Sequence, residues 1–216
     1  MDQEQDSRLD FKFASYTEPE LIRCGDEFLK SCKIAWHKTG SEVWTEHVLN
    51  WFSHTAPADV RVDSRPTRST GAGVRNSQGE WLVDLVHTTY PLGNHHPYWA
   101  PAMTLKDDRA WSVLLVLESE WGKSRSPSRT FEMILDDASK LTALRAAVKV
   151  LVTSATNSRI AHDAALEAGI VNLRRRTRDT TPWLWINLPN EKMPELCSYV
   201  MFGDRNGTVR HLDTSE

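Results

Sequence analysis

The sequence has few of the features that mark whole classes of proteins. Its three cysteines, Cys24, Cys32 and Cys197, form no Cys-x-x-Cys pair. A disulfide framework and a structural zinc site are therefore not expected. No stretch approaches the roughly 18 consecutive apolar residues of a membrane-spanning helix, so no membrane association is expected. The acidic start lacks the apolar segment of a secretory signal peptide, and we expect a cytoplasmic protein.

Common catalytic signatures are also missing. No Gly-x-Ser-x-Gly elbow of a serine hydrolase is present, and no glycine-rich loop ends in Lys-Ser or Lys-Thr, which argues against an NTPase. His95 and His96 lie in a proline-rich stretch without regular zinc-ligand spacing. The net charge of −3 gives no general reason to expect a polyanion partner. A nucleic-acid enzyme can nevertheless confine its basic groups to a local groove.

The composition is typical of a soluble globular protein that can bury a core, with 40% hydrophobic and 25% charged residues. Residues 1–16 are polar and are expected to be frayed, and 17–216 are expected to form one domain. The apolar periodicity predicts an α/β fold with a mixed central sheet flanked by helices. Predicted helices cover 18–36, 128–147 and 157–168, the last closed by Gly169. A further predicted helix starts at a capping box in residues 39–42 and ends before Pro57. Predicted strands cover 58–63, 80–87, 111–120, 148–153 and 183–188, with a hairpin around 203–207.

Carboxylates end one of these predicted strands and interrupt another. The apolar run that begins at Trp111 ends in Glu118 and Glu120, which share one face of a strand because side chains alternate. Two acids on one face of a buried strand are costly without a cation between them. Asp84 breaks a second apolar run, whereas His87 on that run has the spacing of the opposite face. The pattern predicts a metal site at the end of the strand.

The helix that follows adds a basic group. Asp137 and Lys140 are three residues apart, a spacing at which they can pair. Carboxylates from neighbouring strands suit Mg²⁺ (or Mn²⁺), because hard cations prefer oxygen ligands. Such a metal can activate water for phosphodiester hydrolysis, and a lysine can orient that water or stabilise the oxyanion.

The order of these residues resembles the PD-(D/E)xK superfamily of restriction-endonuclease-like nucleases, over roughly 84–153. The family has an acid in one strand, Glu-x-Lys or a variant in the next, then a helix and another strand. Asp84 would be the first acid and Glu118 the second. Glu120 stands where the family has lysine, and Lys140 could supply that group from the helix. The sequence Asp137-Ala-Ser-Lys-Leu also resembles uncharacterised bacterial members with a Glu-x-Glu variant.

The resemblance implies a restriction-endonuclease-like α/β sandwich and a metal-dependent nuclease, with DNA as the expected substrate. Metal ligands would be Asp84, Glu118 and Glu120, and Lys140 would join them in catalysis. Symmetric cleavage of duplex DNA would require a homodimer. Expected phosphate contacts are Lys123, Arg125 and Arg129, just beyond the acids, and Arg174, Arg175 and Arg176, in a segment that could equally be a solvated loop.

One alternative stays open at this point. The chain could be a catalytically degenerate member of the same fold that serves as a nucleic-acid-binding or protein-interaction module. The near-neutral charge and the missing Glu-x-Lys lysine favour this alternative. The three acids favour an active enzyme, because an inactive site would keep them together at a cost in stability.

Overall fold

The computed structural model describes residues 11–35, 41–64, 83–89, 112–120, 127–154, 159–188, 198–203 and 209–212. These residues form four helices and seven strands. The helices are α1 (Glu18–Ala35), α2 (Ser41–His54), α3 (Pro127–Ala143) and α4 (Arg159–Thr177). The strands are β1 (Arg61–Ser64), β2 (Leu85–Thr89), β3 (Ser112–Glu120), β4 (Val148–Ser154), β5 (Trp183–Leu188), β6 (Ser198–Phe202) and β7 (Val209–Leu212).

All seven strands join one sheet, in which the spatial order follows the chain order from β1 to β7. Strands β3, β4 and β5 are parallel to one another, and the pairs on either side of them are antiparallel. Parallel neighbours need a crossover, which α3 and α4 provide. The predicted α/β fold with a mixed sheet is confirmed, and the restriction-endonuclease-like arrangement stays a prediction.

Helices pack on both faces of the sheet. Helices α1 and α2 share a core with alternate strand residues such as Leu117 and Leu184. Helices α3 and α4 share a second core with Val116 and Trp185, which point the other way. Because side chains alternate along a strand, Glu118 faces α3 together with Val116. The central strands are apolar on both faces, as parallel strands covered by helices require.

The segment before α1 belongs to the core. Phe11 and Phe13 are buried against α1 and α2. The Phe13 amide donates a hydrogen bond to Thr55 O at 3.0 Å, and its ring stacks on Tyr16 with centroids 4.8 Å apart. The prediction of a frayed start is therefore wrong for residues 11–16. The segment is polar on average, but Phe11 and Phe13 within it pack into the core. Residues 1–10 lie outside the described part of the chain.

Helix α4 does not end at Gly169, so that prediction is wrong. A Cβ at Gly169 would lie 2.8 Å from Leu135 Cδ2 of α3. The glycine thus permits close packing of two helices instead of ending one. The helix continues to Thr177, and Arg178, with φ of 55°, adopts the left-handed conformation typical of a helix C-terminus. The predicted loop at Arg174–Arg176 is consequently the last turn of α4.

The other predicted elements differ from the structure mainly at their ends. Val83 and Asp84 lie before β2, which begins at Leu85, and residues 80–82 of the predicted strand lie outside the described residues. Strand β1 begins three residues later than predicted, and α3 ends at Ala143. The predicted terminal hairpin is present as the antiparallel pair β6–β7, although its turn lies outside the described residues. No helix in the described ranges is long and apolar enough to cross a membrane.

Candidate active site at the end of strand β3

Glu118 is a buried carboxylic acid near the end of β3. Its relative exposure is 2% and its side chain faces α3. Lys140 Nζ lies 3.5 Å from Glu118 Oε1, within the range of an ion pair. Among the described residues, Glu118 Oε1 has no hydrogen-bond partner. A buried acceptor without a donor is costly, so this oxygen marks a position where a cation or a donor would be stabilised.

The surroundings of Glu118 favour its neutral form. Burial, followed by the charges of Asp84 and Asp137, raises the pKa of Glu118 to about 8, although Lys140 opposes the shift. The carboxyl group is therefore mostly protonated at neutral pH unless additional positive charge comes close. Asp84 and Asp137 are thus two acids that act on Glu118.

Asp84 lies immediately before β2, one residue outside the strand in which it was predicted. Its amide donates a hydrogen bond to Leu117 O at 3.0 Å. Its Oδ2 atom accepts hydrogen bonds from Ser119 N at 2.9 Å and from Ser119 Oγ at 2.7 Å. The side chain is buried, as the flanking apolar residues predict. Asp84 is thus fixed against β3 at Ser119, the residue next to Glu118.

Lys140 reaches the acids from α3. Its Nζ atom lies 2.5 Å from Asp137 Oδ1, which confirms the predicted i, i+3 pair, and 3.5 Å from Glu118 Oε1. Asp137 is buried beside Ala138 and Leu141 on the apolar stripe of the helix. Burial alone would lower the pKa of Lys140, but the hydrogen bond to Asp137 and the charge of Glu118 give a net increase. Lys140 is therefore held as a cation.

Glu120 occupies a different environment from Glu118. It ends β3, is half-buried, and lies opposite Thr153 of β4. In the described part of the chain, no group of three or more His, Cys, Asp or Glu side chains is arranged to hold a metal ion. The structure therefore does not assemble Asp84, Glu118 and Glu120 as a three-ligand group, and their role as metal ligands stays a prediction.

Arg174 is not a surface contact for nucleic acid, so that prediction is wrong for this residue. Its side chain is 5% exposed and donates hydrogen bonds of 2.7 Å to Thr181 O and to Gly203 O. Its guanidinium carbon also lies 5.9 Å and 5.6 Å from the ring centroids of Trp183 and Phe202. Arg174 joins the end of α4 to β5 and to the end of β6.

The remaining basic residues are either exposed in the structure or lie outside the described residues. Arg129 is exposed in the first turn of α3, and Arg175 and Arg176 are exposed in the last turn of α4. Lys123 and Arg125 lie outside the described residues. For all five, contact with a phosphate backbone stays a prediction.

Two groups of buried polar residues lie apart from the site. Lys149 Nζ contacts Asp179 Oδ2 at 2.7 Å near the start of β4, and Trp183 Nε1 donates to the same oxygen at 2.9 Å. His87 lies on the α1–α2 face, as its spacing predicts. Its Nε2 atom is 3.0 Å from Phe52 O, and its Nδ1 atom is 2.9 Å from Tyr16 Oη. These contacts engage both nitrogens of the His87 ring.

Comparisons of this chain with protein-family models, with curated proteins and with solved structures give no significant match. The function must therefore be argued from the residues of this chain. Sequence reasoning missed one contributor to the site, Ser119. Its only sequence signal is its position between the two acids, which does not show that Asp84 would reach it.

Proposed function

We propose that this chain is a metal-dependent nuclease of restriction-endonuclease-like fold that hydrolyses phosphodiester bonds, with DNA as the substrate. One observation carries the proposal. Within the described ranges, the buried carboxyl group of Glu118 has an oxygen without a hydrogen-bond donor, and it lies beside a second acid, Asp84, and a helix-borne cation, Lys140. The order of these residues along the chain is that of the family the sequence resembles.

The chemistry of the donors fits Mg²⁺ or Mn²⁺. Asp84 and Glu118 would both supply oxygen atoms, which these hard cations prefer. Burial, more than any other cause, raises the pKa of Glu118, and a bound metal cation would favour its ionised form. Mg²⁺ is usually bound through one or two carboxylates, with waters and substrate phosphates completing its shell. Asp84 and Glu118 are therefore sufficient as protein ligands, and Glu120 would be an additional one.

Each residue then has a defined task. A bound metal would supply an activated water and would neutralise charge on the scissile phosphate. Lys140 stays protonated because of Asp137, so it acts as a hydrogen-bond donor and positive charge rather than as a general base. A fixed cation beside the phosphate stabilises the charge that develops on its oxygens. Asp137 positions Lys140 and keeps it charged.

A second candidate function is favoured by the same ion pairs. Lys140 already contacts both Asp137 and Glu118, and it thereby neutralises part of the acidic charge without a metal. A protein that had lost cleavage could keep this arrangement for stability alone. The chain would then bind nucleic acid or a protein partner without cutting it.

A cleavage assay separates the two candidates. Single- and double-stranded DNA and RNA are incubated with the protein in Mg²⁺, in Mn²⁺ and in EDTA. We expect metal-dependent cleavage of DNA that falls about 100-fold or more in Asp84→Asn, Glu118→Gln and Lys140→Met, the scale of losing one electrostatic stabiliser. Asp136→Asn is the matched control, because Asp136 is an exposed acid next to Asp137 on the same helix.

The outcomes are distinct. Cleavage that survives both Asp84→Asn and Glu118→Gln would place the catalytic centre elsewhere. Binding of DNA by the wild type without cleavage in either metal would support the non-cleaving candidate. Equal loss of activity in Asp136→Asn would show that the substitutions act through folding.

A further inference from the structure

We infer that Ser119, the residue between the two acids, positions the Asp84 carboxylate for cation binding. This inference rests on the proposed metal site and adds a residue to it. Ser119 is 5% exposed and lies next to Glu118 on β3. Its side chain alternates with those of Glu118 and Glu120, so it is not a ligand from their face. Its contribution is made through Asp84.

Two donors of Ser119 hold one oxygen of Asp84. The backbone amide donates to Asp84 Oδ2 at 2.9 Å and the hydroxyl donates to the same atom at 2.7 Å. Both distances are those of strong hydrogen bonds to an ionised acceptor. Both hydrogen bonds are also buried, where competition from water is weak.

The end of the β2–β3 ladder explains why the side chain of Asp84 reaches Ser119. The last described pair of that ladder is Leu85 with Leu117. Asp84 remains attached by its amide, which donates to Leu117 O. Beyond this point the Asp84 carboxylate accepts the Ser119 amide hydrogen that lies outside the paired region. The Asp84 carboxylate thus takes the place of a backbone carbonyl as the acceptor for the next amide of β3.

A carboxylate is planar, so fixing Oδ2 also fixes the direction of Oδ1. With two donors on one atom, rotation of the Asp84 side chain would break two buried hydrogen bonds. The position of the carboxylate relative to Glu118 is then set before any cation arrives, and binding does not have to order the side chain. Partners that orient a ligating carboxylate in this way typically change metal affinity or activity 10- to 100-fold when they are removed.

The test compares Ser119→Ala with Ser119→Thr in the full chain. Alanine removes the hydroxyl donor and adds no atom that could clash, whereas threonine restores the hydroxyl. Affinity for Mn²⁺ is measured by electron paramagnetic resonance of the free ion, which does not depend on cleavage. We expect Mn²⁺ binding to weaken about 10-fold or more in Ser119→Ala and to recover in Ser119→Thr. If the threonine variant fails to fold, the alanine variant alone decides.

Ser31→Ala is the matched control. The hydroxyl of Ser31 donates to Phe28 O within α1, on the opposite face of the sheet from α3. Melting temperatures are recorded for all variants. A Ser119→Ala protein that melts earlier but binds Mn²⁺ like the wild type would overturn the inference, because Ser119 would then serve the ladder alone.

Failure of the inference and failure of the proposed function give different results. Unchanged Mn²⁺ affinity in Ser119→Ala, with a wild type that cleaves DNA, overturns the inference and leaves the nuclease intact. Weakened affinity in a protein that never cleaves supports the positioning role and overturns the nuclease. A wild type that binds no Mn²⁺ overturns both.

Discussion

Glu118 and His87 show how burial acts on groups of opposite charge. Burial raises the pKa of Glu118 to about 8 and lowers the pKa of His87 to about 4, so both are held mainly neutral near pH 7. Burial holds His87 neutral even though its hydrogen bond with Phe52 O favours the charged ring, and its other nitrogen contacts Tyr16 Oη. Among the described residues, Glu118 Oε1 has no hydrogen-bond partner. Burial at His87 therefore accompanies a ring whose two nitrogens both have partners, whereas burial at Glu118 leaves Oε1 without a hydrogen-bond partner among the described residues.

Replacement of Glu118 by glutamine should stabilise the protein at high pH. The pKa of Glu118 lies above its ordinary value of 4.5 in the folded state. The folded protein therefore binds more protons than the unfolded chain between about pH 4.5 and 8, and the free energy of unfolding falls as pH rises through this window. Glutamine does not titrate. Urea unfolding in EDTA should give similar stabilities near pH 5 and a more stable Glu118→Gln variant near pH 9.

The stability difference at pH 9 should be a few kcal/mol at most, because one pKa unit corresponds to about 1.4 kcal/mol. Asp136→Asn is again the control, and its stability relative to the wild type should not follow this pH dependence. A gap between Glu118→Gln and the wild type that stays constant from pH 5 to 9 would contradict the raised pKa.

The last turn of α4 contains arginines with different environments. Arg174 is buried and holds the carbonyls of Thr181 and Gly203, whereas Arg175 and Arg176 are exposed. A row of adjacent arginines on a helix must divide between faces, because successive residues are rotated by about 100°. One of the three therefore stabilises the joint between α4, β5 and β6, and the other two remain available to solvent.

Substitution of Arg174 should destabilise the protein far more than substitution of its neighbour. Arg174→Ala removes the guanidinium donor from the part-buried carbonyl of Thr181 and from the buried carbonyl of Gly203, and we expect a loss of about 2–4 kcal/mol. Arg175→Ala should remain within about 0.5 kcal/mol of the wild type, as is usual for exposed positions. Urea unfolding at pH 7 measures both. Equal effects would contradict the structural role of Arg174.

Predictability from sequence varied between elements for physical reasons. The end of β3 followed from alternation along the strand, because that is a local pattern. The approach of Lys140 was expected from the family resemblance and from its i, i+3 spacing to Asp137, whereas the period of α3 placed it towards the flank of the helix. The burial of Arg174 did not follow, because Gly169 is a common helix terminator and its contact with Leu135 is a tertiary one. The Ser119–Asp84 contact spans 35 residues, and alternation assigns only a face, not a partner.

The segment before α1 connects several parts of the molecule. Phe13 bonds to Thr55 beyond α2 and packs beside Tyr16, which in turn meets His87 of β2. Ring contacts of this kind add to the area that aromatic side chains bury. The segment therefore closes the α1–α2 face of the sheet near β2, the strand that begins just after Asp84.

Truncation of Phe13 should be costly for this reason. Phe13 is 2% exposed, and removal of a buried phenylalanine typically costs about 3–5 kcal/mol. We expect Phe13→Ala to lower the free energy of unfolding by that amount, measured by urea denaturation. Ser15→Ala is the control within the same segment, since Ser15 is exposed. If residues 11–16 were frayed, the two variants would be equally stable.

The agreement between strand order and chain order has a consequence for folding. Each strand from β1 to β6 pairs with the strand that follows it in the chain, so every pairing in the described sheet joins strands that are consecutive in sequence. Contacts between neighbours in sequence form at a lower cost in loop entropy, and chains are completed from the N-terminus during synthesis. Asp84, Ser119 and Lys140 all precede β4. The part of the sheet that carries these residues can therefore assemble on the ribosome before β5, β6 and β7 have been made.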